Sequence, residues 1–233
     1  MSAALAVVIP TLNEAGRLPA LLADLAQAPC GLISERVVVD GGSRDGTAQL
    51  ARLGGAQVLP CAPGRGRQLQ RGITATTAPW LLLLHADARL CRTWADVVHQ
   101  AMQEPAAAWA FDLAIDGGGL GLRLVELAVR LRSQLRQLPY GDQGLLLPRA
   151  LLHQAGGMPA LDLMEDLALI QRLQPLTPIR RLAQPLRVDG RRWRQLGVVR
   201  TTWRNARLRR AWRCGASPAE LAGLYYSRAV DST

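Results

Sequence analysis

His85-Ala86-Asp87 sets an imidazole and a carboxylate two residues apart at the end of an apolar run. At that spacing the two side chains can ligate one divalent cation, or divide between a cation and a ribose. A cation held there would act as a Lewis acid toward a diphosphate leaving group without needing a proton donor. Asp40-Gly41-Gly42-Ser43-Arg44-Asp45-Gly46-Thr47 follows another apolar run. Its glycines let backbone approach a ligand closely, and Asp40 can accept hydrogen bonds from a base or ribose. The same stretch also reads as a turn in which Asp45 or Ser43 caps the next helix. Glu165-Asp166 offers adjacent carboxylates where a loop meets a helix. One of them facing a cleft can serve as general base toward a hydroxyl; the plainer role is to complement the helix dipole. Arg65 and Arg67 stand in a Gly-flanked loop suited to a pyrophosphate. Gly141-Asp142-Gln143-Gly144 precedes a strand, reads equally as a tight turn, and ranks below the others.

Composition removes several chemistries. All 28 basic residues are Arg, which excludes a Schiff-base lysine and a P-loop lysine. The four cysteines form no C-x-x-C pair, against a zinc cage or a disulfide framework and in keeping with a reducing cytoplasm. Apolar stretches such as residues 78–84 are too short to span a bilayer, and residues 1–10 lack the features of an export signal. The net charge of +10 is unevenly placed: residues 1–179 balance 15 Arg against 15 acids, while residues 180–233 hold 13 Arg against 3. Such a tail attracts phosphates on a nucleotide, a nucleic acid or a membrane surface.

The elements that must position these residues alternate. Leu5-Ala6-Val7-Val8-Ile9 has the continuous apolar character of a strand covered on both faces, and Pro10 is expected to end it. Thr11 and Glu14 then offer a capping box before a helix carrying Leu18, Leu21, Leu22 and Leu25. Strands are expected at 36–39, 57–59 and 80–85, with helices at 47–53 and 68–75 between them. This predicts a mainly parallel α/β sheet flanked by helices, its ligand edge formed by the loops that follow the strands. Beyond residue 90 come helices at 93–103, 120–138, 149–154 and 165–173, strands at 107–115 and 144–147, and a basic, helix-rich part from about residue 180. Without repeat or linker, a single body is expected: a catalytic domain over 1–190 with a helical extension, 191–233, packed on it. In that extension helical spacing puts Val199, Trp203 and Ala206 on one side, Leu208 and Trp212 on another.

Taken in order, the segments from Val8 to Glu14, Val39 to Thr47, Leu84 to Asp87, Met164 to Asp166 and Arg191 to Trp193 resemble a family 2 glycosyltransferase of GT-A (Rossmann-like) fold. The resemblance spans nearly the whole chain. The H-A-D variant and the G-D-Q-G segment are most similar to the radical-SAM/selenodomain-associated transferase group. The resemblance implies a nucleoside-diphosphate sugar, usually UDP-linked, with Pro10, Thr11, Glu14 and Asp40 around the nucleoside. It implies Asp87, with His85, as ligands of Mn²⁺ or Mg²⁺, and Ala86 beside them against the donor. Asp166, flanked by Glu165, would be the base of an inverting displacement, and Arg192 and Trp193 would border donor or acceptor. His85 replaces the first Asp of the usual D-x-D, which removes one anionic ligand. Asp189 stands where processive members carry Gln, arguing against polymer synthesis.

The leading expectation is therefore a cytoplasmic, metal-dependent transferase acting on a small or lipid-linked acceptor, with peripheral membrane contact through the Arg-rich C-terminus and no nucleic-acid partner. A nucleotidyltransferase on a similar sheet, and a non-catalytic protein binding nucleic acid or membrane through its Arg tail, are the competing readings. A dinucleotide oxidoreductase is disfavoured because no G-x-G-x-x-G follows the first strand.

Overall fold

The computed structural model describes residues 4–217 and 220–221. Its first part alternates as read: β1 (Leu5–Thr11), α1 (Leu18–Ala26), β2 (Ile33–Asp40), α2 (Thr47–Leu53), β3 (Gln57–Pro60), α3 (Arg65–Thr74) and β4 (Trp80–Leu83). Then come β5 (Arg89–Leu90), α4 (Trp94–Ala101), β6 (Ala108–Ile115), α5 (Leu120–Arg136), β7 (Leu145–Pro148) and α6 (Arg149–Gln154). The described chain continues through α7 (Glu165–Leu173), β8 (Ile179–Val188), α8 (Arg191–Leu196) and α9 (Val198–Arg213). The strands form one sheet of order β3-β2-β1-β4-β7-β6-β8-β5. Pairings β1/β2, β1/β4, β2/β3 and β6/β8 are parallel; β7 and β5 run against their neighbours.

Both faces of β1 are buried, which is why its sequence is apolar without alternation. Leu5, Val7 and Ile9 join the core under α1 and α4 with Trp94 and Phe111. Ala6 and Val8 join the core under α3, α6 and α7 with Leu69, Ile73, Leu151 and Leu173. Arg89 and Asp24 tie the far edge to α1: Nε and Nη2 of Arg89 donate to the two Asp24 oxygens at 2.7 and 3.0 Å.

Four local expectations are corrected. Pro10 does not end β1, which continues to Thr11. The pairing with β4 stops at Val8↔Leu83, so the missing Pro10 N–H faces no ladder. No capping box forms at Thr11–Glu14: the Thr11 hydroxyl turns to Val39 O and Asp40 Oδ1, and α1 begins only at Leu18. Residues 65 and 67 lie in the first turn of α3 instead of a loop, with Gly64 at φ 137° leading in. Finally, 179–188 is a strand. Its Arg residues disguise a pattern in which Ile179, Leu182, Leu186 and Val188 are buried, shifted by an irregularity opposite Ala110/Asp112. There Arg181 makes a two-pronged bond to Asp112 at 2.7 and 2.6 Å.

The reversed β7 decides where the site lies. With Leu83 opposite Leu145 in an antiparallel ladder, residues entering β7 share an edge with residues leaving β4. The C-terminal ends of β1, β2, β3, β4, β6 and β8 thus meet the N-terminal end of β7. Meanwhile β5 follows β4 by only five residues yet pairs with β8, three strands away. Residues 84–88 must therefore cross that edge, carrying His85 and Asp87 over its middle.

Close packing of α3 on β1 and β2 depends on Gly72, where an added Cβ would lie 2.4 Å from Val8 Cγ1 and 2.9 Å from Val39 Cγ2. Gly72→Ala is expected to cost about 1–3 kcal/mol by overpacking despite the better helix propensity. Gly16→Ala, with nothing within 4 Å, should stay within about 0.5 kcal/mol. Urea unfolding of the two variants measures the difference.

Candidate active site

A cleft of about 1710 Å³ opens along the converging edge. Pro10, Thr11 and Glu14 line it from the end of β1, Arg65 and Arg67 from α3, and His85, Ala86 and Asp87 from the crossing segment. Asp166 reaches it from α7, Arg192 and Trp193 from α8. Two residues singled out in the sequence stand behind these walls. Asp40 lies beneath Thr11, whose hydroxyl donates to its Oδ1 at 3.3 Å, and Glu165 is buried at 1% exposure.

At the β1 end, two loops are joined by their short polar side chains. Asn13, at φ 55°, accepts the Arg44 N–H at 2.9 Å, and the Asn13 N–H donates to Ser43 Oγ at 2.9 Å. Glu14 N–H donates to Thr47 Oγ1 and Ala15 N–H to Asp45 Oδ2. Hydrogen bonds from the Thr47 hydroxyl, and then from Ala15, hold the Asp45 carboxyl below its usual range. Asp40 gathers the Gly42 and Ser43 N–H groups and the Ser43 hydroxyl. The Gly-rich turn is thus a polar frame behind the β1 end of the cleft, and α2 starts from Gly46 with no side-chain cap.

Opposite lies a group of carboxylates. The Gly141 N–H donates to Asp166 Oδ2 at 2.6 Å, and the Leu167 N–H to Asp166 Oδ1 at 2.7 Å. Met164, held at φ 65°, turns the chain so that α7 opens with Glu165 and Asp166 at its positive end. Glu165 Oε1 lies 2.9 Å from Arg65 Nε; burial outweighs that cation and pushes the Glu165 carboxyl up to about 7. Burial, then Arg65, push the His85 imidazole below its usual range against the pull of Asp87 and Asp166. A neutral imidazole has a nitrogen lone pair to offer a metal. Arg67 is held by Asp162 at 2.5 Å and by Pro63 O at 2.8 Å.

The segment ranked lowest in the sequence, Gly141–Gln143, forms a single 3₁₀ turn in the middle of this group. Asp142 lines the cleft; burial raises its carboxyl to about 6, and its Oδ1 is buried without a hydrogen-bond partner among the described residues. Gln143, fully buried, accepts from Arg132 Nη2, Ser133 Oγ and the Tyr140 N–H and donates to Phe111 O at 2.9 Å. It fixes the turn to α5 and β6. A G-D-Q-G stretch ahead of a strand was the available signal, but it reads equally as a tight turn.

α8 is strapped to the β1 end of the cleft by charge. Glu14 pairs with Arg17 at 3.2 Å and with Arg191 at 3.0 Å, while Asp189 pairs with Arg17 at 2.6 Å and Arg194 at 2.8 Å. Burial pushes the Asp189 carboxyl up, but hydrogen bonds from Arg17, the Arg191 N–H and Arg194 leave it below its usual range. Trp193 packs on Leu113, Ile115, Leu122 and Val188. In α9 Leu208 is buried against Leu163 and Leu221 with Trp212 beside it, whereas Val199 and Trp203 are exposed, the division expected from spacing.

Among the described residues no three His, Cys, Asp or Glu side chains converge to form a metal cage. His85 and Asp87 can supply two ligands. Such a pair suits a hard divalent ion whose other positions are filled by substrate phosphate and water. It does not suit a tightly resident structural metal.

The model of the family described as Glycosyl transferase family 2 matches residues 6–150. A PGL/p-HBAD biosynthesis glycosyltransferase of Mycobacterium tuberculosis is 39% identical over 95 residues, covering 35% of this chain and 34% of that protein. The chain thus spans about a third of the curated relatives it matches. Among solved structures, glucosyl-3-phosphoglycerate synthase from M. tuberculosis with Mn²⁺, UDP and phosphoglyceric acid superposes with a TM-score of 0.60 at 23% identity, covering 91% of this chain and 78% of that one. S. aureus TarS 1–349 superposes with a TM-score of 0.62 at 18% identity, covering 80% and 60%.

A Cβ added at Gly141 would stand 3.0 Å from His85 Nε2 and 3.1 Å from Asp166 Oδ2. Gly141→Ala is therefore expected to separate these two groups, lowering turnover while the melting temperature changes little. Glu165, with its folded pKa near 7 against an ordinary 4.5, binds its proton more tightly folded than unfolded. The stability this carboxyl supports should fall as pH climbs from about 4.5 to about 7, and Glu165→Gln should flatten that part of a melting-temperature profile.

Proposed function

The chain belongs to glycosyl transferase family 2, and on that premise we propose that it moves a single sugar from a nucleoside-diphosphate donor, UDP-linked, to an acceptor hydroxyl with inversion at the anomeric carbon. The observation that carries this reading is the meeting of His85 and Asp87, on the crossing segment, with Asp166 and Asp142 in one cleft whose other end is a rigid polar pocket. The UDP and Mn²⁺ complex of the synthase that shares the fold supports a UDP donor and a divalent ion. The H-A-D and G-D-Q-G segments support a place among the radical-SAM/selenodomain-associated transferases.

In this reading Pro10, Thr11 and Glu14 receive the nucleoside, with Asp40 supporting them from beneath Thr11. Arg65 and Arg67 lie beside the diphosphate, exchanging a protein carboxylate for phosphate, and Arg192 and Trp193 border the sugar. Asp87 and His85 would hold Mn²⁺ or Mg²⁺ against the donor phosphates, beside the Ala86 backbone; the ion, when bound, neutralises charge on the departing diphosphate. Asp166 accepts the acceptor's proton, held in aim by the Gly141 and Leu167 N–H groups. Glu165 positions Arg65 from beneath. Asp142 is the second candidate base, favoured by a buried, unpartnered oxygen and a carboxyl near 6. Residues 191–233, of which 218–219 and 222–233 lie outside the described residues, then serve as an extension of a catalytic domain spanning 1–190, with α8 and α9 closing one wall.

Thermal shift with UDP, GDP, CDP and dTDP tests the donor. UDP with Mn²⁺ should stabilise the wild type and lose that effect in Asp87→Asn; no metal-dependent stabilisation by any nucleotide would reject the reading. Asp166→Asn should lower kcat by about 10²–10⁴-fold with donor binding retained. A comparable loss in Asp142→Asn alone would transfer the base to Asp142.

A further inference from the structure

Helix α5 has two opposed apolar faces. At 3.6 residues per turn, Leu122, Val125, Val129 and Ser133 share one side, and these are its buried or half-buried positions. Leu120, Leu124, Leu127, Leu131 and Leu135 fall within about 80° on the other side, and all five are exposed, from 46% to 80%. Isolated surface leucines are ordinary, but five in one stripe on the face turned from the core need a partner. On α9, which packs beside α5, Val199 and Trp203 are 83% and 62% exposed.

The charge around this surface selects the partner. α5 and α9 carry ten Arg and one acid, Glu126, whose Oε1 is occupied by the Ile115 N–H at 2.6 Å. A second copy would set one such Arg field against another, which repels. An anionic bilayer complements it: leucines enter the acyl boundary, Arg side chains meet lipid phosphates, and Trp203, with Arg207 5.5 Å from its ring, has the amphipathic form favoured at that depth. We infer that α5, together with Val199 and Trp203, lies on an anionic membrane surface. The cleft, walled by Leu124, Leu131 and Leu135 of the same helix, then opens onto that surface and takes its acceptor from it. The docking stands on this face alone; the source of the acceptor rests also on the transferase reading. The main membrane element is thus α5, ahead of the Arg-rich end of the chain.

The test uses the full chain and sucrose-loaded vesicles of phosphatidylcholine, alone or mixed with phosphatidylglycerol. The wild type should sediment with mixed vesicles at physiological salt and weakly with phosphatidylcholine alone. The double variant L120E/L127E, at two stripe positions outside the cleft lining, should lose about tenfold or more of that binding. It should keep its melting temperature and its stabilisation by UDP with Mn²⁺. Absence of binding to anionic vesicles, or equal binding by the variant, overturns the inference. A wild-type dimer in analytical ultracentrifugation that L120E/L127E dissociates would do the same in favour of a second copy. Vesicle failure with nucleotide stabilisation intact leaves the transferase reading standing; the opposite pattern leaves the docking standing and removes that reading.

Discussion

The antiparallel ladder between β4 and β7 is the constraint on which the α7 end of the cleft depends. A strand inserted in reverse among parallel neighbours delivers its leading loop, and not its trailing one, to the edge where the other strands end. Gly141–Gln143 occupies that position, and from it the Gly141 N–H reaches Asp166 at 2.6 Å. The absence of a side chain at Gly141 lets the His85 ring and the Asp166 carboxylate flank the same backbone. Gln143 locks the turn with bonds to α5 and β6 inside the protein, where an unmade bond is costly. Without the reversal, His85 and Asp87 would cross an edge with no acid from this turn.

Electrostatics separates the two ends of the cleft. At the β1 end each carboxylate is matched: Glu14 and Asp189 by Arg17, Arg191 and Arg194, and Asp40 by its own loop. At the α7 end burial outweighs pairing for Glu165 and Asp142, so desolvation governs and raises their carboxyls to about 7 and about 6. A saturated end suits a ligand recognised by shape and backbone polarity. An under-compensated end suits cations and proton transfer.

The outer wall of the cleft obeys a different rule. α5 buries one stripe of apolar side chains and exposes another, an arrangement water alone does not favour. Because Leu124, Leu131 and Leu135 also line the cleft, the exposed stripe and the cleft wall form one apolar tract. One end of the cleft is polar and charge-matched and the other is walled by leucines of α5.

The alternation of strand and helix through residue 83, the burial of β1 on both faces, and the residues around His85, Asp87 and Asp166 were legible in the chain, because each depends on local periodicity or on a short motif. The direction of β7, the strand at 179–188, the importance of Asp142 and Gln143 and the outward stripe of α5 were not. Strand direction is set by which neighbours pair, and β8 hides its period behind a register irregularity and three Arg residues. A leucine pattern records that a helix is amphipathic without saying which of two apolar faces the core will take. Sequence therefore determined the chemical groups and most of the elements. Only the tertiary structure decided which loop met which edge and which leucines were left outside, since pairing and burial are contests between distant segments that local pattern does not encode.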